Sequence, residues 1–147
     1  MELMKEFKFE ASHVLPKHPG KCSRLHGHSW KLRVYVKGEV DKETGFVIDY
    51  GDIKQSVQPI IDALDHRHLG TWLIPYNDIS FRNADWEVHY MPREFYPTSE
   101  NLIVWIGDQL LNHKLCMSLG WSKLELDETC TSSCILTREE YAKQIRG

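Results

Sequence analysis

The chain is organised around Lys21-Cys22-Ser23-Arg24-Leu25-His26-Gly27-His28-Ser29-Trp30, in which a thiol precedes two histidines separated by one glycine. The even positions that follow are apolar as far as Val36, whereas the odd positions are mostly polar. This alternation predicts a half-buried strand, with both imidazoles on its apolar face because strand side chains alternate with a period of two. Two imidazoles with a third partner form a divalent-metal site, most often for zinc.

A third imidazole is expected beside these two. The residues from Leu3 to His13 alternate in the same way, with His13 on the apolar parity. The intervening loop joins the ends of the two strands, so antiparallel pairing brings His13 near His26 and His28. Taken separately, His13 reads as an uncharged core histidine and the other two as a chance surface pair. Their convergence favours a metal site, and three protein ligands with an open fourth position are typical of catalytic zinc.

Length and composition bound the class of protein. With 147 residues, 41% hydrophobic and 27% charged, the chain fits a single domain spanning 1–147. A net charge of −3 gives no basic footprint for nucleic acid, and the apolar runs are too short for a membrane span. The N-terminus lacks the apolar core of a signal peptide, so we expect a cytoplasmic protein with reduced cysteines. These cysteines are Cys22, Cys116, Cys130 and Cys134.

The remaining elements follow from periodicity and capping signals. The first is a helix over about 50–64, bent at Pro59, and the next is a hairpin of runs 71–74 and 87–91 within 71–96. A second helix runs from Thr98 or Ser99 to about 113. A strand over 122–128, a turn at 129–134, a brief strand to Leu136 and a short capped C-terminal helix follow.

Two groups of polar residues are candidates for chemistry. The first helix ends in Asp65-His66, which is either a surface charge pair or a proton-transfer group, and the sequence leaves both open. Glu128 lies on the apolar parity of its strand, where a carboxylate is costly unless paired, so it is either a salt-bridge partner or a group that awaits a polar ligand. The loop over 14–25 is basic through Lys17, His18, Lys21 and Arg24, and it is either a solvated charged loop or a site for an anionic substrate.

Five segments form a set: Phe9-Glu10-Ala11-Ser12-His13, Cys22-Ser23-Arg24-Leu25-His26-Gly27-His28, Leu64-Asp65-His66, Pro97-Thr98-Ser99-Glu100-Asn101 and Glu128-Thr129-Cys130-Thr131. In this order they resemble the 6-pyruvoyl-tetrahydropterin synthase family, and specifically its bacterial 6-carboxy-tetrahydropterin synthase branch. The resemblance spans nearly the whole chain. The short gap between the thiol and the two histidines is more like the carboxy branch, since the pyruvoyl branch usually has a longer one.

The resemblance implies the α+β tunnelling fold, a four-stranded antiparallel sheet with two helices packed on one face. It implies trimers that close the sheets into a barrel, a homohexamer of two stacked trimers, and active sites completed by neighbouring chains. The implied Zn2+ ligands are His13, His26 and His28. The implied proton-handling residues are Cys22, Asp65 and His66. The implied pterin contacts are Glu128, through the guanidine-like N–H edge of the ring, together with Thr98, Ser99 and Glu100.

The implied enzyme is a zinc-dependent lyase of queuosine and 7-deazapurine biosynthesis. It converts 7,8-dihydroneopterin triphosphate to 6-carboxy-tetrahydropterin, acetaldehyde and triphosphate. The segment between Leu69 and Pro97 is longer than in compact bacterial members, which leaves substrate preference open. Three alternatives stand: a pyruvoyl-forming synthase, a zinc-stabilised binding or scaffold protein with Cys22 as fourth ligand, and a zinc hydrolase.

Overall fold

A computed structural model describes residues 1–71, 88–91, 96–112 and 120–144. The described residues form an α+β fold with one sheet of six strands. The strands are β1 (Glu2–His13), β2 (His26–Lys37), β3 (Arg67–Thr71), β4 (Val88–Met91), β5 (Lys123–Thr129) and β6 (Ser132–Thr137). The helices are α1 (Tyr50–Leu64), α2 (Ser99–Asn112) and α3 (Arg138–Gln144).

The sheet order is β4-β3-β1-β2-β5-β6. The four strands β1, β2, β5 and β6 pair antiparallel, which confirms the expected four-stranded unit. The sheet is larger than expected, because β3 and β4 extend it beyond β1 through parallel pairing. These two strands hold four or five residues each, too short to give a clear alternation in the sequence.

One face of the sheet carries the core. Helices α1 and α2 pack on this face, α1 against β1 and β3, and α2 against β5 and β6. The strand parity predicted from the sequence is the observed one, since Phe9, Trp30, Leu32 and Leu126 are all buried there. The opposite face is polar and carries no helix of the described chain.

Helix ends follow the predicted capping signals. The Thr98 hydroxyl oxygen accepts a hydrogen bond from the Asn101 amide at 3.3 Å, so Thr98 caps α2. At α3, Thr137 and Glu140 form the expected capping box, with the Glu140 carboxylate accepting from the Thr137 amide at 2.9 Å. Helix α1 continues through Pro59 as a single element. None of the described helices has the length and apolar character needed to cross a membrane.

Two sequence expectations differ from the structure. The turn expected at 129–134 is shorter, because β6 already begins at Ser132. The run 88–91 pairs in parallel with β3, whereas a hairpin would need antiparallel pairing. Residues 72–87 and 92–95 lie outside the described part of the chain, and the single-domain description with an insertion at 71–96 stays a prediction.

Candidate metal centre and active site

The three predicted imidazoles meet where β1 ends and β2 begins. The register of the two strands pairs His13 with His26 and Ala11 with His28. One ligand atom from each of the three histidines lies within 4.8 Å of the others. His13 is fully buried, while His26 and His28 are half-buried. The sheet thus brings together all three candidate ligands and leaves them accessible from one side.

Backbone carbonyls fix the tautomers of two of these rings. His13 Nδ1 lies 2.7 Å from the Pro97 carbonyl oxygen, and His26 Nδ1 lies 2.8 Å from the Arg24 carbonyl oxygen. A carbonyl oxygen can only accept, so each Nδ1 carries the proton and, in the neutral ring, each Nε2 carries a lone pair. The two Nε2 atoms are 3.0 Å apart. Lone pairs at this distance repel each other unless a proton or a metal cation lies between them.

The third ring, His28, also has a nitrogen without a hydrogen-bond partner among the described residues. His28 Nε2 is buried and makes no hydrogen bond. Burial lowers the pKa of His28, although the Glu128 carboxylate opposes this shift. Burial likewise lowers the pKa of His13 to about 4. Neutral imidazoles are the form that binds metal, so the three rings fit a divalent cation.

Glu128 projects toward the same point from β5. Its Oε1 atom is 3.5 Å from His13 Nε2 and 3.7 Å from His28 Nε2, and its side chain is 25% exposed. The carboxylate therefore has an open side, as well as a side that faces the histidines. The prediction that Glu128 turns toward the apolar face is confirmed.

Trp30 forms a rigid wall beneath the cluster. It is fully buried, and its ring lies edge-on to His13 and His28 with centroid separations of 5.4 Å in both cases. Its indole N–H donates to the Ala11 carbonyl oxygen at 3.2 Å. The ring contributes to the burial that lowers the pKa of His13 and of His28.

Cys22 lies on the loop that enters β2. It is the middle residue of a short turn, Lys21–Ser23, and its carbonyl oxygen accepts from the Leu15 amide at 2.9 Å. The thiol is free and half-buried. Among the described residues, Cys22 is not part of the group of donor atoms within 4.8 Å of one another. The described loop thus places Cys22 four residues before His26 and outside the histidine group.

Asp65 and His66 form the predicted pair, but away from the three histidines. Asp65 Oδ2 is 2.9 Å from His66 Nδ1, and Asp65 Oδ1 accepts from the Glu10 amide at 2.8 Å. The Glu10 amide holds the pKa of Asp65 below its ordinary value. His66 donates its own amide to the Glu10 carbonyl oxygen at 2.7 Å. Glu10 precedes His13 by three residues, or about 10 Å of strand.

The His66 side chain is 79% exposed, and its backbone has φ +56°. This left-handed conformation is uncommon for a residue other than glycine, and it turns the chain from α1 into β3. Within one chain the ring therefore points to solvent, and its Nδ1 is held by Asp65.

The predicted pterin-contacting residues lie at the start of α2. The segment is attached to the metal centre through the Pro97 carbonyl oxygen, which binds His13. Thr98 uses its hydroxyl oxygen to cap α2, and the Ser99 hydroxyl is 3.4 Å from the Glu100 carboxylate. The side chain of Glu100 is exposed. The structure thus brings this segment near the histidines by its backbone.

Sequence reasoning missed the groups that orient the histidines. The carbonyl oxygens of Pro97 and Arg24 carry no side-chain signal, and only the fold shows where they lie. Trp30 could have been found, since it follows His28 on the same parity and directly continues the buried face.

The described chain combines a mostly antiparallel sheet, helices packed on one face of it, and three histidines where β1 ends and β2 begins. The sequence profile of the family described as 6-pyruvoyl tetrahydropterin synthase matches residues 2–139, and the chain belongs to this family. The structure of Caenorhabditis elegans 6-pyruvoyl tetrahydropterin synthase has the same fold, with a TM-score of 0.69, 24% identity, and coverage of 93% of this chain and 94% of that one.

Two bacterial relatives are closer in sequence. The chain is 42% identical over 148 residues to the 6-carboxy-5,6,7,8-tetrahydropterin synthase of Haemophilus influenzae, covering 90% of this chain and 96% of the relative. It is 37% identical over 136 residues to the protein of the same name from Synechocystis sp., covering 89% of this chain and 88% of the relative.

Proposed function

We propose that the chain is a zinc-dependent 6-carboxy-5,6,7,8-tetrahydropterin synthase. It converts 7,8-dihydroneopterin triphosphate to 6-carboxy-tetrahydropterin, acetaldehyde and triphosphate, in queuosine and 7-deazapurine biosynthesis. The observation that carries the proposal is the convergence of three imidazoles with one carboxylate, Glu128, at a single point. The names of the two bacterial relatives support the choice of product.

The metal is held by His13, His26 and His28. Three nitrogen ligands with an open position suit zinc, and the backbone carbonyls behind His13 and His26 are the outer partners that histidine ligands usually have. When bound, zinc supplies a Lewis acid that polarises hydroxyl oxygens of the substrate side chain.

The remaining chemistry belongs to side chains of the protein. Cys22 removes a proton from the substrate side chain, and His66, oriented by Asp65, is the second acid and base. Glu128 accepts two hydrogen bonds from the N–H edge of the pterin ring, the geometry that carboxylates prefer with guanidine-like groups. Thr98, Ser99 and Glu100 line the ring.

We also propose that His66 serves the metal centre of a neighbouring chain. In its own chain it is exposed, and its amide is bonded to Glu10, which precedes His13 by about 10 Å of strand. A homohexamer of two stacked trimers would supply this neighbouring chain. The proposed location of the enzyme is the cytoplasm. The triphosphate is then met by cations of the basic loop and its surroundings. These are Lys17, Lys21 and Arg24, which are exposed, and Arg67, which is half-buried.

The proposal is tested by incubating the protein with 7,8-dihydroneopterin triphosphate, with and without added zinc, and assaying acetaldehyde and the pterin product. We expect zinc-dependent release of acetaldehyde with formation of 6-carboxy-tetrahydropterin. A pyruvoyl product without acetaldehyde would replace the proposal with the pyruvoyl-forming synthase. Hydrolysis of a simple ester with no pterin turnover would favour a zinc hydrolase.

The Cys22→Ala variant separates an enzyme from a zinc-stabilised scaffold. If Cys22 handles a proton, zinc content and oligomeric state survive while turnover falls by roughly 10²- to 10⁴-fold. If Cys22 were a fourth structural ligand, the variant would lose metal and stability together.

A further inference from the structure

Glu128 lies at an irregularity of the sheet. Asp127 pairs with Ser133 of β6, but the next pair is Thr129 with Ser132, so β5 takes two steps where β6 takes one. Glu128 is the extra residue of this β-bulge, and pairing of β5 with β2 also stops at the residue before it. A bulge bends its strand and re-aims a side chain. The ladder of strand hydrogen bonds therefore does not by itself fix where Glu128 points.

A charged clamp holds the bulge from the opposite face of the sheet. Arg33 of β2 contacts both carboxylate oxygens of Asp127, with Nη1–Oδ1 3.2 Å and Nη2–Oδ2 3.0 Å. The Ser133 hydroxyl also donates to Asp127 Oδ1. The side chains of Arg33 and Asp127 are only 20% and 14% exposed. Partial burial and bidentate geometry make this a directional contact.

Arg33 is itself fixed by two further carboxylates. Its Nη1 donates to Glu125 Oε1 at 2.8 Å, and its Nε donates to Glu6 Oε2 at 3.2 Å. The guanidinium is thus tied to β1 and to β5 and has little freedom to move. Since neighbouring strand residues point to opposite faces, holding Asp127 from the polar face also holds the backbone from which Glu128 projects toward the histidines.

We propose that the Arg33–Asp127 ion pair is a positioning device for Glu128. It fixes the bulge so that the Glu128 carboxylate is aimed at the metal centre and at the N–H edge of the bound pterin. The pair lies outside the histidine group that could hold a metal, and it acts through Glu128. Its effect on turnover rests on the function proposed above, whereas its effect on the Glu128 side chain does not.

The alternative is that the clamp only ties strands together, and Glu125 provides the matched control. Glu125 lies two residues before Asp127 on the same face, contacts the same guanidinium, and accepts from the Tyr35 hydroxyl at 2.9 Å. It does not adjoin the bulge. Asp127→Asn and Glu125→Gln each remove one negative charge from Arg33, but only the first loosens the residue next to Glu128.

The test compares kcat and KM of Asp127→Asn and Glu125→Gln, each alone and combined with Glu128→Gln. Weaker contact with the pterin edge is a loss of binding, so Asp127→Asn is expected to raise KM about tenfold with kcat and zinc content retained. Glu125→Gln should stay close to wild type. In the Glu128→Gln background, Asp127→Asn should add nothing. Equal KM values for the two single variants, or a further rise in the double variant, would overturn the proposal.

Crystal structures of the two single variants test the same idea without the reaction. In Asp127→Asn, the Glu128 carboxylate should leave its place 3.5 Å from His13 and 3.7 Å from His28, and in Glu125→Gln it should keep it. An undisturbed Glu128 in Asp127→Asn would contradict the positioning role. If the wild type failed to process 7,8-dihydroneopterin triphosphate, the proposed function would fall while this structural comparison would still stand.

Discussion

The histidine cluster and the Asp65–His66 pair are built in opposite ways. The cluster is assembled from two strands of one chain, and its innermost ring, His13, is 0% exposed. The pair sits at the turn into β3 with the His66 ring 79% exposed. The cluster is complete when the chain folds, whereas the pair is oriented but faces solvent.

The difference shows what a single chain can supply. Nδ1 protons of His13 and His26 are committed to backbone carbonyls, so the Nε2 atoms are preset for a cation before one arrives. Asp65 likewise presets Nδ1 of His66, but the His66 side chain stays 79% exposed. The preorganised cluster and the exposed His66 ring fit the proposal that a second chain completes the site.

The largest effect is expected from His28→Ala, which removes one of the three imidazoles of the cluster. Because His28 Nε2 has no hydrogen-bond partner, its removal should leave the fold intact while metal affinity falls by at least ~100-fold and turnover is lost. Metal analysis and far-UV circular dichroism of the purified variant check this. Full zinc occupancy in the variant would show that the cluster is not the metal centre.

His66→Ala removes the imidazole of the Asp65–His66 pair, and we expect it to affect turnover without affecting metal content. Turnover should fall by roughly 10²- to 10⁴-fold while zinc content stays at the wild-type level, since the proposed function makes His66 an acid–base group and it lies outside the histidine group. Steady-state kinetics and metal analysis on the same sample measure both. Loss of zinc together with turnover would mean that His66 takes part in metal binding, and the cluster and the pair would then not have separate roles.

Acid should lower the stability of the metal-free protein through the buried ring of His13. The pKa of His13 is about 4 in the folded protein, against 6.5 for an unperturbed histidine. Between these values the unfolded chain binds a proton that the folded chain does not, so stability falls as pH is lowered through this window and levels off below it. The loss amounts to ~3 kcal/mol in metal-free protein.

Urea unfolding of the metal-free protein from about pH 7 to about pH 4 measures this loss. The His13→Asn variant serves as control, because it lacks the titrating ring and should show a flatter profile. Parallel profiles for the two proteins would contradict the burial of a neutral His13.

The smallest effect is expected from Asp65→Asn. The amide keeps an oxygen acceptor for the Glu10 N–H but offers His66 an uncharged partner, so turnover should fall about tenfold, the order of one hydrogen bond to a charged group. Asp62→Asn, an exposed position on the same helix, is the matched control and should keep wild-type kinetics. Equal activity of both variants would mean that Asp65 does not orient His66.

The cluster was predictable because strand parity and a connecting loop decide it. Alternation places His13, His26 and His28 on apolar faces, and antiparallel pairing makes them neighbours. Parity also placed Glu128 correctly. Metal identity and the roles of individual residues stay predictions, since they depend on chemistry that spacing does not encode.

Other features had no readable signal. Strand β3 follows α1 directly through the left-handed His66, and its few residues show no alternation. Strand β6 begins with Ser132 and Ser133, which read as turn residues, so the sequence predicted the brief strand to Leu136 but not its start. The clamp on Glu128 joins residues distant in sequence, and its bulge appears only in the register.

The most direct test of the account is activity in mixed oligomers of His28→Ala and His66→Ala, co-expressed with different tags and purified by both. Each variant alone should be inactive, the first without metal and the second without its acid–base group. If His66 serves a neighbouring metal centre, the mixture combines one intact half from each chain, and random assembly restores about a quarter of the wild-type sites. A mixed oligomer as inactive as its components would contradict a site shared between chains.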